Sequence, residues 1–192
     1  MRGNKKTLIR TLEGHSSTVN SVAIRPDNTK IVSGSSDNTI KVWDLESGRL
    51  LNTLNLSSYV NSVAITSDNS KIVSSGSADK IIKVWDLNTG KLLNTVEGHT
   101  DNIFSVAISP DSTKIVSGSY DKTIKVWEMQ KAKYSASYKF DSGITYIAFF
   151  RNRNIMLIKD QSGEGLYLAS LSQSAQNEQN EVVNIKPPIM EQ

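Results

Sequence analysis

Serine, histidine and aspartate recur together in this chain at spacings that could build either a catalytic triad or a buried polar network. Two such sets lie 84 residues apart: His15, Ser33, Asp37 and His99, Ser117, Asp121. A Ser-His-Asp arrangement can activate a serine nucleophile. A catalytic set is normally single, whereas this one is duplicated with identical internal spacing. The duplication favours a structural network.

Little else in the composition offers chemistry. The two histidines are both used in these sets, and there is no cysteine. No histidine is therefore left for a metal ion or a general base, and neither disulfides nor thiolate metal sites can form. A Walker-type phosphate loop is also missing from the sequence. We expect no enzyme activity, no cofactor and no metal site.

An internal repeat underlies the two polar sets. Tryptophan and aspartate each recur every 42 residues, at Trp43, Trp85, Trp127 and at Asp37, Asp79, Asp121. Segments such as SVAI, IKVW and RLLNTL are rich in β-branched and aliphatic residues and are separated by Pro-Asp and Ser-Gly turns. Four short strands in a period of about 42 residues are typical of β-propeller blades. The predicted fold class is all-β.

Two dipeptides mark the repeats further. Gly14-His15 and Gly98-His99 mark the first and third units, and Trp43-Asp44 and Trp85-Asp86 mark the first two. With these marks the chain resembles the WD40-repeat family, strongly over residues 7–130 and weakly over 131–171. The resemblance implies about four WD40-type β-propeller blades, three clear and one degenerate. It also implies a non-catalytic protein–protein interaction module or scaffold in a multiprotein complex.

The resemblance assigns the polar sets a structural role. In this family a His, a Ser or Thr, an Asp and the Trp of one blade form a hydrogen-bonded tetrad. Carried over, the members are His15, Ser33, Asp37 and Trp43; Ser75, Asp79 and Trp85; and His99, Ser117, Asp121 and Trp127. The second repeat lacks its histidine because Leu56 and Ser57 stand where Gly-His is expected.

The repeats divide the chain into units. We assign repeats to 7–54, 55–96 and 97–140 and a degenerate unit to 141–171, between a flexible basic N-terminus at 1–6 and a disordered polar tail at 172–192. The fourth unit keeps three strand-like segments, GITYIAFF, NIMLIKD and GLYLASL, but none of the polar marks. Ala169 stands 42 residues after Trp127, where a tryptophan is expected.

The sequence does not decide whether the blades close into a ring. Residues 7–12 match the outer-strand segments of the repeats and could complete the blade made by 144–171, leaving no free edge. The alternatives are an open arc, two chains closing an eight-blade ring, and a part of a larger propeller. Four blades would need a wide wedge angle each, so we expect an open arc or self-association.

Partner-binding residues are predicted where near-identical repeats differ. These positions are Thr18, Asn20, Ser36, Tyr59, Asn61, Ala78, Asn102, Phe104 and Tyr120. The resemblance maps them to the rim of the top face of a propeller, where proteins or peptides commonly dock. We expect Tyr59, Phe104 and Tyr120 to form an aromatic cluster across the second and third blades. The alternative is that each packs against a neighbouring loop.

The charge pattern supplies an alternative function. The net charge is +3 and the lysines are scattered. Nucleic-acid or phosphoinositide binding requires several phosphate contacts from one face, so we keep it as the alternative to protein binding. The sequence shows neither a transmembrane-length apolar run nor a signal-peptide pattern. We expect an intracellular protein, cytoplasmic or nuclear.

Overall fold

A computed structural model describes residues 8–131, 133–150, 153–163 and 166–171, and the backbone of 182–184. Every regular element in these ranges is a β-strand. The strands form four sheets, antiparallel except for one short added strand, which are four blades in a propeller arrangement. The predicted all-β fold of three clear blades and one degenerate blade is confirmed.

The first three blades are four-stranded meanders. Blade 1 contains β1 (Val19–Ile24), β2 (Lys30–Ser35), β3 (Thr39–Asp44) and β4 (Leu50–Asn55). Blade 2 contains β5 (Val60–Ile65), β6 (Lys71–Gly76), β7 (Ile81–Asp86) and β8 (Leu92–Glu97). Blade 3 contains β9 (Ile103–Ile108), β10 (Lys114–Ser119), β11 (Thr123–Glu128) and β12 (Tyr134–Lys139).

Blade 4 has three strands, β13 (Ile144–Phe149), β14 (Ile155–Asp160) and β15 (Leu166–Ser170). A short strand, β16 (Val182–Asn184), pairs in parallel with β12 at the outer edge of blade 3. These three residues fall within the tail predicted to be disordered. The rest of that tail and the N-terminal residues 1–6 lie outside the described residues.

The core lies between blades. Inner strands β1, β5, β9 and β13 pack side by side in chain order. A buried apolar cluster fills each of the three junctions, for example Val32 and Ile40 of blade 1 against Val60 and Val63 of blade 2. Apolar residues occupy both faces of a blade because each face meets a neighbour. Stability therefore comes from stacking blades, as in other repeat proteins.

The latch that the sequence permits for residues 7–12 does not form in the described part of that segment, in line with the expected open arc. Residues 8–12 carry no strand, and the blade 4 sheet ends at β15. Val22 on the outward face of blade 1 is 64% exposed, and Leu168 on blade 4 is 67% exposed. The blade packing leaves both end faces uncovered, so the described chain is an open arc.

Candidate functional site

In blade 1 the predicted polar set is a connected network beside the loop that precedes β1. Trp43 Nε1 donates to Ser33 Oγ at 2.8 Å, and that hydroxyl lies 2.7 Å from His15 Nε2. His15 Nδ1 lies 2.8 Å from Asp37 Oδ2. A carboxylate can only accept, so Nδ1 carries the proton and Nε2 accepts from serine. The chain of bonds thus joins two strands, the turn between them and the loop before β1.

Blade 3 repeats the network with nearly the same distances. Trp127 Nε1 donates to Ser117 Oγ at 2.8 Å, and Ser117 Oγ lies 2.7 Å from His99 Nε2. His99 Nδ1 lies 2.7 Å from Asp121 Oδ2. The His99 ring packs edge-on to Trp127, with centroids 5.8 Å apart. A Cβ on Gly98 would lie 3.1 Å from the Trp127 ring, which explains the Gly-His dipeptide.

The Ser, His and Asp side chains are hydrogen-bonded in the same order as in a catalytic triad, but the surroundings of the serine differ from those of a nucleophile. Ser33 is 5% exposed and Ser117 fully buried, and each hydroxyl also accepts a hydrogen bond from its tryptophan. A nucleophilic hydroxyl must reach a substrate carbonyl, and neither hydroxyl can. The network satisfies a buried indole N–H and a buried carboxylate, which would otherwise destabilise the fold.

Hydrogen bonding controls the charge of the two network aspartates. Burial alone would raise the pKa of Asp37, but donors from Thr39, His15 and the Ser16 backbone outweigh it and hold that pKa well below its usual value. In Asp121 burial is likewise outweighed, by His99, Thr123 and the Thr100 backbone, and the pKa is again strongly lowered. Both carboxylates are ionised in the folded chain near neutral pH.

Blade 2 corrects one predicted residue. Trp85 Nε1 donates to Ser74 Oγ at 2.9 Å, so Ser74 occupies the position that we assigned to Ser75. Strand register gives the reason: Ser74 pairs with Lys83, as Ser33 pairs with Lys41. The extra residue of this repeat lies after the serine. Ser75 is fully buried, and its Oγ has no hydrogen-bond partner among the described residues.

A lysine compensates for the missing histidine of blade 2. Lys83 Nζ lies 2.8 Å from Asp79 Oδ2, and both side chains are about 15% exposed (14% and 15%). The equivalent lysines of blades 1 and 3 bond instead to hydroxyls, Thr53 and Ser137. Asp79 packs directly over Gly76, where a Cβ would lie 1.9 Å from Oδ1. The carboxylate keeps a partner, although the network is shorter.

Sequence reasoning missed two further members of the network. Thr39 Oγ1 donates to Asp37 Oδ1, and Thr123 Oγ1 donates to Asp121 Oδ1, both at 2.6 Å. The signal was available in the repeats, because blade 2 has Ile81 at this position and lacks histidine as well. Loss of both donors in the same repeat indicates that they serve the same carboxylate.

The nine variable residues lie at one end of the first three blades, where each inner strand begins. Backbone bonds join the two sides of this end: Ser36 N to Thr18 O, Ser77 N to Tyr59 O, and Tyr120 N to Asn102 O, at 2.9–3.0 Å. Ala78 follows Ser77, and its N–H donates to Ser58 Oγ. The predicted candidates therefore lie at the same end of the three blades, which we call the rim.

Among the described residues, two of the nine make side-chain hydrogen bonds between blades. Asn20 Nδ2 donates to Val60 O at 3.0 Å, and Asn61 Nδ2 donates to Ile103 O at 2.9 Å. Asn20 also donates to Ser36 Oγ. These amides link one inner strand to the next, so part of their role is structural.

The three aromatic candidates do not form one cluster. Phe104 and Tyr120 stack with centroids 4.0 Å apart and planes 27° apart. Tyr59 is 55% exposed and has no ring contact with either among the described residues. The rim thus presents a stacked pair on blade 3 and a separate exposed tyrosine on blade 2.

The described residues contain no group of three or more His, Cys, Asp or Glu that could hold a metal ion. In the same residues there is no helix long and apolar enough to cross a membrane.

Comparison with known proteins agrees with the repeated blades. The family model described as "WD domain, G-beta repeat" matches residues 6–44, 48–86 and 90–128, more than half of the chain. This chain belongs to the WD40-repeat family. Members of this family are in general interaction modules without enzyme activity.

Curated relatives match over single repeats. Pre-mRNA-splicing factor PRP46 of Yarrowia lipolytica is 45% identical over 47 residues, which cover 24% of this chain and 11% of that protein. Small ribosomal subunit protein RACK1 of Medicago sativa is 45% identical over 51 residues, covering 27% of this chain and 16% of that protein. The matches span a small part of these relatives' own length.

Solved structures match most of the chain. The RRP9 WD40 repeats superpose with a TM-score of 0.74 at 26% identity, covering 79% of this chain and 47% of that one. The computationally designed Ika4 protein superposes with a TM-score of 0.73 at 30% identity, covering 88% of this chain and 100% of that one. Both likenesses support the propeller arrangement of the four blades.

Proposed function

We propose that this chain is a non-catalytic scaffold or adaptor whose protein or peptide partner binds the rim of the top face. The observation that carries the proposal is the aromatic content of that rim. Tyr59 is 55% exposed, and the stacked Phe104–Tyr120 pair lies on the next blade. Aromatic side chains at the centre of an interface commonly dominate its binding energy.

The nine rim residues divide into two kinds under this proposal. Asn20 and Asn61 are held by bonds to the next blade, so they present a fixed polar background. Tyr59 has no such restraint, and rim positions vary while the scaffold repeats. Partner choice would therefore reside in Tyr59, Phe104 and Tyr120, with Thr18, Ser36, Ala78 and Asn102 shaping the border.

The test compares partner capture by the wild type and by Tyr59→Ala, alone and combined with Tyr120→Ala. Proteins retained by the tagged chain would be quantified by mass spectrometry. The matched control is Phe150→Ala, which removes an aromatic that is 46% exposed and follows the opposite end of an inner strand. We expect at least a tenfold loss for the rim variants and none for the control. Unchanged capture by a folded double variant would sink the proposal.

Complex membership and location belong to the same proposal. Two matched relatives are named as a splicing factor and as a small ribosomal subunit protein. By analogy we propose an intracellular role in a multiprotein complex, cytoplasmic or nuclear. Fractionation of tagged protein would test this.

The alternative of nucleic-acid or phosphoinositide binding predicts a salt-dependent gel shift or lipid overlay signal, and absence of both at low salt would remove it.

A further inference from the structure

The outward side of blade 1 has the chemistry of a blade junction without a covering blade. We call it the first-blade face: Val19, Val22, Ile24, Ile31 and Leu45. Val19 is 46% exposed, whereas its equivalents at the later junctions, Val60, Ile103 and Ile144, are 0–1% exposed. The same residue type is thus buried wherever a preceding blade is present.

Two further positions show the same contrast. Val22 is 64% exposed, and its equivalents Val63, Val106 and Ile147 are 6%, 4% and 3% exposed. Leu45 is 37% exposed, against 1% for Leu87 and 7% for Met129. The first-blade face therefore continues an interface that the molecule builds three times.

Those three junctions show what such a face accepts. At the first junction, Val60 packs against Gly34 so closely that a Cβ there would lie 2.4 Å from Val60 Cγ1. At the third, a Cβ on Gly118 would lie 2.4 Å from Ile144 Cγ2. Blade 2 has Ser75 at the matching register. A covering blade needs a small residue at this position.

A covering blade also supplies a serine. Ser21 Oγ accepts from Val63 N at 3.1 Å, Ser62 Oγ from Val106 N at 3.2 Å and Ser105 Oγ from Ile147 N at 2.9 Å. Val22 N is the equivalent donor of the first-blade face. The rest of the covering surface is aliphatic, as in Val32, Ile40 and Val42.

The far side of blade 4 does not meet these requirements. Register places Tyr146 opposite Lys159, where blade 1 has Ser21 opposite Gly34. Leu166 and Leu168 are aliphatic and about two-thirds exposed (66% and 67%). A tyrosine and a lysine at the two tightest positions keep a neighbouring inner strand from approaching. Head-to-tail closure with a second copy, which the sequence leaves open, is therefore disfavoured.

We propose that the first-blade face binds a WD40-type blade of another polypeptide. That blade would carry glycine or serine at the Gly34 position, serine at the Ser21 position, and aliphatic residues on its second and third strands. The inference adds to the proposed function, since it concerns a surface separate from the top-face rim. Under this proposal a further blade can pack against blade 1 but not against blade 4.

The probe for this face is the chain itself with its last blade altered. Tyr146→Ser with Lys159→Gly introduces the small residues into blade 4 of the probe. Val22→Lys in the same probe blocks its first-blade face and so prevents two probe molecules from binding each other. Mixed with wild type, the folded probe is expected to form a 1:1 complex by size-exclusion chromatography with light scattering. A second probe, with Lys159→Ser, covers failure of the first to fold, which circular dichroism would report.

Variants of the wild-type component locate the contact. Val22→Lys is expected to weaken probe binding at least tenfold, and the matched control Leu168→Lys should leave it unchanged. Tyr59→Ala should also leave it unchanged, so this outcome is independent of the top-face function. Wild type alone should run at the mass of one chain.

Three results would overturn the inference. A folded probe that fails to bind wild type at 100 µM or so, roughly the upper range of specific weak association, removes the first-blade face as a binding site. Binding that survives Val22→Lys places the contact elsewhere. Self-association of wild type that Val22→Lys abolishes makes a second copy the occupant and shows that Tyr146 and Lys159 do not obstruct it.

Discussion

At the residue scale, adjacent serines of blade 2 carry opposite roles. Ser74 Oγ accepts from Trp85, whereas Ser75 Oγ is buried without a partner among the described residues. The letters of the repeat cannot separate them, because both stand in the run VSSGS. Pairing with Lys83 across the sheet decides which one faces the tryptophan.

The two serines provide a matched pair of variants. Ser74→Ala leaves the buried indole N–H of Trp85 unsatisfied and should lower the free energy of unfolding by about 1–3 kcal/mol. Ser75→Ala removes a hydroxyl that has no bond to lose, so stability should be unchanged or slightly higher. Urea unfolding followed by tryptophan fluorescence measures both. Equal losses would contradict the assignment of Ser74.

The network aspartates predict a dependence of stability on acid. The pKa values of Asp37 and Asp121 are lowered in the folded chain from an ordinary value of 3.8. Their ionised forms therefore stabilise the fold fully above about pH 4, and this contribution is lost as the pH falls further. Unfolding measured from pH 7 to 3 should show a decline that is shallower in Asp121→Asn. An identical slope in that variant would count against the prediction.

At the element scale, what holds a blade in place is the closeness of its neighbour. Gly34 and Gly118 lie under the first inner-strand residue of the next blade, and a methyl group has no room there. Hydrogen bonds between inner strands hold the same pairs of blades close together: Val63 N donates to Ser21 Oγ, and Ile147 N donates to Ser105 Oγ. A strand pattern predicts each blade, but it does not report how near two blades come.

Gly34→Ala tests this closeness. The new methyl would be forced against Val60, so the first two blades must separate or distort, at a cost of about 1–3 kcal/mol. Ser75→Ala is the control, because the same position in blade 2 already carries a Cβ. Thermal unfolding by circular dichroism compares the two. A neutral Gly34→Ala would mean that the junction yields more readily than its packing suggests.

In blade 2, Lys83 takes the place of the missing histidine as the partner of Asp79. Lys83→Met leaves the largely buried Asp79 carboxylate without its cationic partner and should cost about 1.5–3 kcal/mol, the range for bonds to charged groups. Lys41→Met, at the equivalent position of blade 1, loses only a 3.2 Å bond to Thr53 and should cost less. Urea unfolding of both variants, with Asp79→Asn combined with each, would reveal the coupling. Equal costs without coupling would refute the compensation.

At the scale of the whole molecule, the arc has protected middle blades and exposed ends. Leu166 and Leu168 of blade 4 are about two-thirds exposed, whereas their equivalents in blades 1 to 3 are buried. In a stack of repeats each blade is stabilised by its neighbours. Each end blade therefore has one stabilising junction in the described arc, whereas each middle blade has two.

Hydrogen exchange should follow this gradient. Amides of β6 and β10, in the middle blades, are expected to be the most protected, and those of β15 the least, because local opening is easiest where neighbours are missing. Exchange measured by mass spectrometry on peptides covering these strands would show the order. Uniform protection across all four blades would indicate that the arc opens as one unit.

The repeat in the sequence was sufficient to predict the blades, their strands and the His, Ser, Asp and Trp members of the polar networks in blades 1 and 3. The reason is physical: strand periodicity, turn residues and buried polar partners are local or recur at a fixed spacing. Lys83, Thr39 and Thr123 were within reach by comparing repeats, but their partners depend on side chains meeting across strands.

The tertiary structure alone decided which of Ser74 and Ser75 bonds Trp85, that Tyr59 stands apart from the Phe104–Tyr120 pair, and that the described arc stays open. Each of these depends on distances between residues from different strands or blades, which no spacing in the sequence encodes. The two Ser-His-Asp sets match the residue types of a catalytic triad. In the structure each set is buried against a tryptophan. Their chemistry in this protein is that of a structural bond network.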